Sequence, residues 1–269
     1  MDFDYIKCCD CVEGMKGIPD ESIDLVVTSP PYDNLRDYNG YVFDFENVAE
    51  QLFRILKQGG VIVWIVNDAT IDGTKTGTSF RQALFFKEIG LNIHDVMIWN
   101  KGSFTATGAL QTRYAPVFEY MFVFSKGKPK AFHPIKDRKN INAGGKIAGT
   151  VRQKDGTFKR IANEGKPMGM YGQRFNIWNI HPVFSENERT GHPAQFPFEL
   201  ARDHIISWSD EGDIVLDCFL GSGTTADAAI QTKRHYIGFE ISKEYFEIAN
   251  QRIADSKQIA KQITFDEII

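Results

Sequence analysis

The stretch Ile214-Val215-Leu216-Asp217-Cys218-Phe219-Leu220-Gly221-Ser222-Gly223-Thr224-Thr225 joins an apolar run to a glycine turn. The apolar part is typical of a buried strand, and the residues from Thr224 to Thr232 have the pattern of a helix. Gly221 and Gly223 permit a tight turn in which backbone amides can approach a ligand closely. The stretch therefore predicts a strand, a glycine turn and a helix, which is the repeating unit of an α/β sheet.

A carboxylate closes the next predicted strand, because Glu240 lies 17 residues after Gly223. An acid at this place can accept hydrogen bonds from both hydroxyls of a ribose, which favours a cofactor that contains adenosine. Gly221, Gly223 and Ala226 formally satisfy the dinucleotide pattern G-x-G-x-x-G/A, so a nicotinamide-dependent oxidoreductase stays an alternative. A P-loop is excluded because no Gly-Lys-Ser/Thr follows the glycines.

Strands and helices alternate along most of the chain. This pattern predicts a doubly wound, mostly parallel sheet of seven strands with helices on both faces. The predicted strands are 5–9, 24–28, 61–66, 93–99, 119–124, 213–219 and 235–240. The predicted helices are 45–56, 78–89, 198–208, 224–232 and 243–253, and Gly59-Gly60 is predicted to stop the first of them.

The second predicted strand ends in an unusual group of residues, Thr28-Ser29-Pro30-Pro31-Tyr32. Two adjacent prolines remove two backbone donors and stiffen the chain, so they end any strand ladder that they enter. They leave the Ser29 hydroxyl and the Pro30 carbonyl as rigid hydrogen-bond acceptors beside the Tyr32 ring. This arrangement indicates a site for a flat group that donates hydrogen bonds.

The charge of the chain is unevenly distributed. The net charge is −4, yet residues 126–174 carry 13 Lys or Arg against 3 Asp or Glu, a local charge of +10. The rest of the chain therefore carries −14. An acidic body with one strongly basic segment is typical of a protein that binds phosphates of a nucleic acid.

Bulk properties exclude several other classes. With 269 residues, 42% of them hydrophobic, the chain is long enough for a sizeable core. The acidic N-terminus does not resemble a signal peptide, and no apolar run approaches the roughly 20 residues that span a bilayer. Four cysteines, three of them at positions 8, 9 and 11, match neither a disulfide framework nor a zinc motif. We expect reduced thiols, no metal and a cytoplasmic protein.

Two motifs together resemble the DNA amino-methyltransferases that use S-adenosylmethionine. Residues 217–225 are similar to their cofactor motif, and residues 29–32 are similar to their catalytic (D/N/S)-P-P-(Y/F) motif. The catalytic motif comes first, then the basic region, then the cofactor motif. This permuted order resembles the β group of bacterial restriction-modification and orphan enzymes, which implies a Rossmann-like sheet with an inserted recognition region.

The resemblance implies a role for each matching residue. The implied catalytic residues are Ser29, Pro30, Pro31 and Tyr32. The implied cofactor-binding residues are Asp10, Asp217, Phe219, Gly221, Ser222, Gly223, Thr224, Glu240, His192 and Pro193. The basic residues expected to bind DNA are Lys136, Arg138, Lys139, Arg152, Lys154, Lys159 and Arg160. The implied divisions are a catalytic half (1–125), a target-recognition region (126–190) and a cofactor-binding half (191–269).

Ser29 favours cytosine N4 as the methylated amine, since adenine-specific members of the group mostly carry Asp at this position. Adenine N6 stays the alternative within the class. A DNA-binding protein that uses S-adenosylmethionine only as an effector is a rival without enzyme activity. The expected partners are double-stranded DNA, a second copy of the chain and a cognate restriction endonuclease, in the cytoplasm of a bacterium or a phage-infected cell.

Overall fold

The computed structural model describes residues 1–31, 43–103, 112–182 and 195–266. The helices within these ranges are α1 (Cys11–Lys16), α2 (Phe45–Ile55), α3 (Thr78–Glu88), α4 (Phe198–Trp208), α5 (Thr224–Gln231) and α6 (Lys243–Asp266). The strands are β1 (Tyr5–Cys8), β2 (Ile23–Thr28), β3 (Leu56–Val66), β4 (Thr70–Ile71), β5 (Thr74–Lys75), β6 (Asn92–Asn100), β7 (Phe118–Ser125), β8 (Arg138–Lys139), β9 (Thr150–Arg152), β10 (Phe158–Arg160), β11 (Tyr171–Gly172), β12 (Ile177–Asn179), β13 (Ile214–Asp217) and β14 (His235–Glu240).

Eight of these strands form one sheet in the order β1-β14-β13-β2-β3-β7-β6-β12. The pairs from β1 to β3 are parallel, β7 is antiparallel to both β3 and β6, and β12 is parallel to β6. The mostly parallel α/β fold predicted from the sequence is confirmed. The predicted number of seven strands is wrong, because β12 has three residues and is too short to show a period.

The core lies where the apolar runs of the sequence place it. All six residues of β2 are buried, and so is the run from Val61 to Val66 in β3. Strands buried on both faces have near-continuous apolar sequences, which is why these two were recognisable. On α2, Val48, Leu52 and Ile55 recur at helical spacing and are all buried.

Three local elements differ from the prediction. Helix α1 was not predicted; it begins after Asp10 and packs Gly14 so closely on the Phe239 ring that an added Cβ would lie 2.4 Å from it. Strand β3 begins at Leu56, so Gly59-Gly60 lies within the strand and does not end the helix before it. Helix α6 continues to Asp266, well beyond the predicted end at 253.

The chain divides into two compact units, Met1–His133 with Asn176–Ile269, and Pro134–Phe175. The larger unit contains the eight-stranded sheet. The smaller unit contains two short antiparallel pairs, β8 with β11 and β9 with β10. The functional divisions at 126 and 191 stay predictions. Within the described ranges, no helix is both long enough and apolar enough to cross a membrane.

Candidate active site at the carboxyl edge of the sheet

Four neighbouring parallel strands carry the predicted site residues at their carboxyl ends. Asp10 follows β1, Glu240 ends β14, the glycine turn follows β13, and Ser29-Pro30-Pro31 follows β2. Carboxyl ends of parallel strands meet at one edge of a sheet, where α/β proteins bind their ligands. The sheet order therefore brings together residues that are as far apart in the chain as 10 and 240.

A buried carboxylate joins the two motifs. Asp217 is 1% exposed, and its Oδ1 accepts a hydrogen bond of 2.6 Å from the hydroxyl of Thr28. Its Oδ2 accepts a hydrogen bond of 2.6 Å from the hydroxyl of Thr225, in the first turn of α5. The backbone amide of Phe219 also donates to Oδ1, at 3.0 Å. Asp217 thereby fixes the residue before Ser29 relative to the glycine turn.

Burial acts on the protonation of this carboxylate. It raises the pKa of Asp217 from 3.8 to about 6, although the hydrogen bonds from Thr225 and Thr28 act in the opposite direction. Removal from water disfavours the charged form, and hydrogen bonds to that form only partly offset the loss. The neighbouring thiol of Cys218 is also buried, and its pKa is raised for the same reason.

The glycine turn requires glycine at its last position. Gly223 has a φ of +85°, a conformation that favours glycine, and a Cβ there would lie 3.1 Å from Cα and Cβ of Ala249 on α6. Gly223 also precedes α5 as its N-cap, with no side chain to satisfy the amides of the first turn. The turn therefore presents backbone donors at a helix N-terminus, which suits an anionic group of a ligand.

The Glu240 side chain is hydrogen-bonded to the same glycine turn. Its Oε2 accepts a hydrogen bond of 2.8 Å from the amide of Gly221, and its Oε1 accepts one of 2.8 Å from the amide of Ser242. Burial raises the pKa of Glu240, while these amides act to lower it. A carboxylate has about four lone-pair sites, so two amides leave acceptor capacity for a pair of hydroxyls.

Asp10 is the N-cap of α1. Its Oδ1 accepts hydrogen bonds from the amides of Val12 at 2.8 Å and Glu13 at 3.1 Å. Its position at the end of β1 places it at the same sheet edge as Glu240, because Cys8 is the register partner of Glu240. The predicted role of Asp10 near the cofactor stays a prediction.

Three residues that hold this edge together were not among the predicted site residues. Thr28 and Thr225 bind Asp217 as described above. Arg252 on α6 donates through Nη1 to the hydroxyl of Thr224 at 2.7 Å and to that of Ser222 at 3.4 Å. Burial lowers the pKa of Arg252. No local pattern marks Arg252, since an arginine in a polar helix is ordinarily a surface residue.

Some predicted residues lie outside the described ranges. Tyr32 of the catalytic motif is one, and His192 and Pro193 are the others. Of the rest of the catalytic motif, Pro30 is buried, and Ser29 and Pro31 are half-buried. Phe219 is half-buried, with its ring edge-on to Phe43 at a centroid distance of 5.4 Å.

The predicted DNA-binding residues all lie in the smaller unit. Lys136, Lys139, Arg152, Lys154, Lys159 and Arg160 are exposed. Arg138 is half-buried: its Nε donates to the carbonyl of Gln173 at 3.0 Å, and its guanidinium lies 4.5 Å from the centroid of the Phe175 ring. Arg138 therefore also supports the smaller unit. In the part of the chain that the structure describes, no group of three or more His, Cys, Asp or Glu could hold a metal.

A sheet edge with a glycine turn and strand-terminal acids defines an α/β protein that binds a nucleotide-like ligand. Comparison with known proteins makes the class specific. Residues 23–251 match the model of a family described as DNA methylase, the N6/N4 methyltransferases. The orphan methyltransferase M.BamHII of Bacillus amyloliquefaciens is 52% identical over 244 residues, which cover 88% of this chain and 91% of that protein.

Solved structures show the same fold. The PvuII DNA methyltransferase, described as cytosine-N4-specific, has a TM-score of 0.68 at 21% identity and covers 98% of this chain and 93% of its own. A DNA modification methylase of Thermus thermophilus, solved with S-adenosyl-L-methionine, has a TM-score of 0.63 at 24% identity and covers 94% of this chain and 93% of its own. The chain belongs to the N6/N4 family of DNA methyltransferases. The resemblance seen in the two motifs is confirmed, and the oxidoreductase alternative is removed.

Proposed function

We propose that this protein transfers the methyl group of S-adenosylmethionine to the exocyclic N4 amine of a cytosine that is flipped out of duplex DNA. The observation that carries the proposal is the link from Thr28 through Asp217 to Thr225. It holds the Ser-Pro-Pro motif and the glycine turn at one edge, so an amine at the first and a cofactor at the second would be neighbours.

The residues at the edge fit S-adenosylmethionine. Glu240 retains acceptor capacity for the ribose hydroxyls, and Asp10 lies at the neighbouring strand end for the adenine side. The turn from Gly221 to Gly223 and the amides of α5 suit the methionine carboxylate. The cofactor supplies an electrophilic methyl group. The proposal also includes contacts of this cofactor with Phe219, His192 and Pro193. Loss of the methyl group converts the cofactor to S-adenosylhomocysteine.

Ser29 and Pro30 would orient the amine. The lone pair of an exocyclic amine is delocalised into the ring of the base, so the amine is a poor nucleophile. The Ser29 hydroxyl oxygen and the Pro30 carbonyl can accept its two hydrogens and thereby direct the lone pair out of the ring plane. Pro30 and Pro31 keep the backbone stiff, so these acceptors are in place before the base arrives, which favours the transition state.

Tyr32 would hold the flipped base by stacking. A stacked base contributes about 1–3 kcal/mol, which is comparable with the few kcal/mol needed to take a base out of the duplex. The basic residues of the smaller unit, from Lys136 to Arg160, would bind the DNA. Their partner, double-stranded DNA, is met in the cytoplasm; that location, a homodimer and a cognate endonuclease remain predictions.

We propose cytosine rather than adenine as the target base because Ser29 occupies the first position of the catalytic motif. The family includes both N4 and N6 enzymes, so adenine N6 is the second candidate. The test is to incubate the protein with S-adenosylmethionine and unmethylated bacterial DNA, digest the DNA to nucleosides and identify the methylated base by mass spectrometry. N4-methylcytosine supports the proposal. N6-methyladenine supports the second candidate and would show that Ser29 does not determine which base is methylated.

Matched variants separate catalysis from folding. Ser29→Ala should reduce the rate of methyl transfer about 100-fold or more, in the range seen when one preorganised hydrogen-bonding group is removed. Ser22→Ala, just before the other end of β2, should leave the rate unchanged, because the Ser22 hydroxyl donates to the carbonyl of Pro19, away from the motif. If Ser29→Ala keeps both its DNA binding and the response of that binding to S-adenosylmethionine, the result would support a DNA-binding protein that uses S-adenosylmethionine only as an effector. It would contradict methyl transfer by this motif.

A further inference from the structure

A hairpin extends through residues 150–160 of the smaller unit. β9 and β10 pair with Phe158 opposite Arg152 and Arg160 opposite Thr150. The amide of Gln153 donates to the carbonyl of Thr157 at 2.7 Å, which closes a three-residue turn with Gly156 at a φ of +87°. A glycine in the left-handed region after a short turn is a common end for such hairpins. Residues 150–160 therefore form a β-hairpin with a fixed strand register and a closed turn.

Both faces of this hairpin are exposed to solvent. Every residue from 150 to 160 is exposed, including Val151 at 53% and Phe158 at 68%. Exposed apolar side chains on a two-stranded ribbon contribute nothing to a core, and such ribbons are only marginally stable alone. Phe158 therefore presents a large exposed ring among basic residues.

The charges of the hairpin are almost all positive. Arg152, Lys154, Lys159 and Arg160 lie within eleven residues that contain one acid, Asp155. The Oδ1 of Asp155 accepts hydrogen bonds from the amide and the hydroxyl of Thr157, at 2.9 and 2.7 Å. The acid is thus engaged in the turn. The charge is complementary to the phosphates that line the grooves of DNA.

The two faces of the hairpin differ in chemistry. Residues opposite each other on paired strands share a face, so Arg152 and Phe158 lie side by side on one face. Val151 and Lys159 form the opposite pair. On the first face, Arg160 is bound to Glu164, with a distance of 3.1 Å between Nη1 and Oε1. The first face therefore combines a guanidinium with a neighbouring aromatic ring.

We propose that this hairpin enters the major groove of duplex DNA, where Arg152 contacts a guanine and Phe158 contacts the methyl group of a neighbouring thymine. The inference rests on the function proposed above, since it takes duplex DNA as the substrate. The major groove, about 12 Å wide, admits a two-stranded ribbon. Arginine bonds in pairs to guanine O6 and N7, and apolar side chains contact the thymine methyl. Lys154 and Lys159 contact phosphates and carry no sequence information.

The test uses base analogues within the methylated sequence, which is first determined from methylated bacterial DNA. Each guanine is replaced in turn by 7-deazaguanine, which lacks the N7 acceptor, and each thymine by deoxyuridine, which lacks the methyl group. For the unaltered protein, kcat/KM should fall about tenfold at one guanine. It should fall about fourfold at a neighbouring thymine, as expected for one methyl group.

The variants locate these effects. Arg152→Ala should show no further loss with 7-deazaguanine, and Phe158→Ala none with deoxyuridine. Lys159→Ala, on the other face, should keep both sensitivities and bind DNA with a shallower salt dependence. All three side chains are exposed, so the variants should fold; circular dichroism checks this.

Several results would overturn the proposal. One is indifference of the unaltered protein to both analogues at every position, and another is retention of both sensitivities by Arg152→Ala and Phe158→Ala. A change of oligomeric state in Phe158→Ala, measured by sedimentation, would assign the ring to a contact between copies. In each case normal methylation shows that only the hairpin proposal fails. Absence of both methylation and duplex binding in the unaltered protein would remove the proposed function together with it.

Discussion

Replacement of Asp217 by asparagine should remove a pH dependence from the stability of the larger unit. The pKa of Asp217 is raised by burial to about 6 in the folded protein, from 3.8. The folded state therefore binds this proton more tightly than the unfolded state. The stability from this group is complete below pH 3.8 and is lost as the pH rises through about 6. Asparagine has no such proton, and its amide can still pair with Thr28 and Thr225.

The magnitude follows from the two pKa values. One pKa unit corresponds to about 1.4 kcal/mol, so between about pH 4.5 and pH 8 Asp217 should remove about 2 kcal/mol from the free energy of unfolding. Asp217→Asn lacks this dependence. The difference in free energy of unfolding between the variant and the unaltered protein should therefore grow in favour of the variant by about 2 kcal/mol over this range.

Tryptophan fluorescence during unfolding in guanidinium chloride is the suitable assay. The four tryptophans, at 64, 99, 178 and 208, are all buried and all lie in the larger unit, so the signal reports on that unit. Asp72→Asn is the control, because Asp72 is exposed and asparagine tolerates its φ of +48°. A constant difference between Asp217→Asn and the unaltered protein across this pH range would refute the reasoning.

Three further variants test the glycine turn. Glu240→Gln replaces one of the two carboxylate oxygens that accept backbone amides. A hydrogen bond to a charged group contributes about 1.5–3 kcal/mol, so calorimetry should show S-adenosylmethionine binding at least about tenfold more weakly. Unchanged binding would exclude the contact between Glu240 and the ribose hydroxyls. Gly223→Ala should lower the free energy of unfolding by more than Gly73→Ala does. Both residues have positive φ, at +85° and +78°, but a Cβ at Gly223 would lie 3.1 Å from Ala249, whereas nothing lies within 4 Å of a Cβ at Gly73. Equal losses would show that only backbone strain acts, at about 1–3 kcal/mol. Arg252→Met should raise KM for S-adenosylmethionine several-fold with a smaller effect on kcat, and an unchanged KM would exclude a positioning role for this residue.

The sheet could be predicted from the sequence where its strands are long and apolar. The runs 24–28 and 61–66 have the continuous apolar character of strands buried on both faces, and both are found in the structure. β12 escaped prediction because three residues cannot show a period. The hairpin at 150–160 also escaped, although its Asp155-Gly156 dipeptide is a turn signal that could have indicated it.

The candidate site was predictable as a set of residues but not as a set of contacts. Glu240 was marked by its position at the end of a predicted strand, and Asp217 by the resemblance of residues 217–225 to the cofactor motif. The hydrogen bond between Thr28 and Asp217 joins residues 189 positions apart, and no local pattern reports a contact of that separation. Arg252 is recognisable only when α6 is packed against the turn, because its partners are the hydroxyls of Ser222 and Thr224.

The order of strands in the sheet has a consequence for how the protein is made. β13 lies between β14 and β2, and among the described strands β1 pairs with β14 alone. When the ribosome has completed β12 but not yet β13, β1 therefore has no pairing partner, and β2 is paired on one edge only, with β3. Unpaired strand edges attract other chains, so we expect the nascent protein to be prone to aggregation at this stage. The same order means that a chain truncated at this stage keeps the Ser-Pro-Pro motif but lacks the glycine turn, so we expect incomplete translation products to leave the genome unmodified.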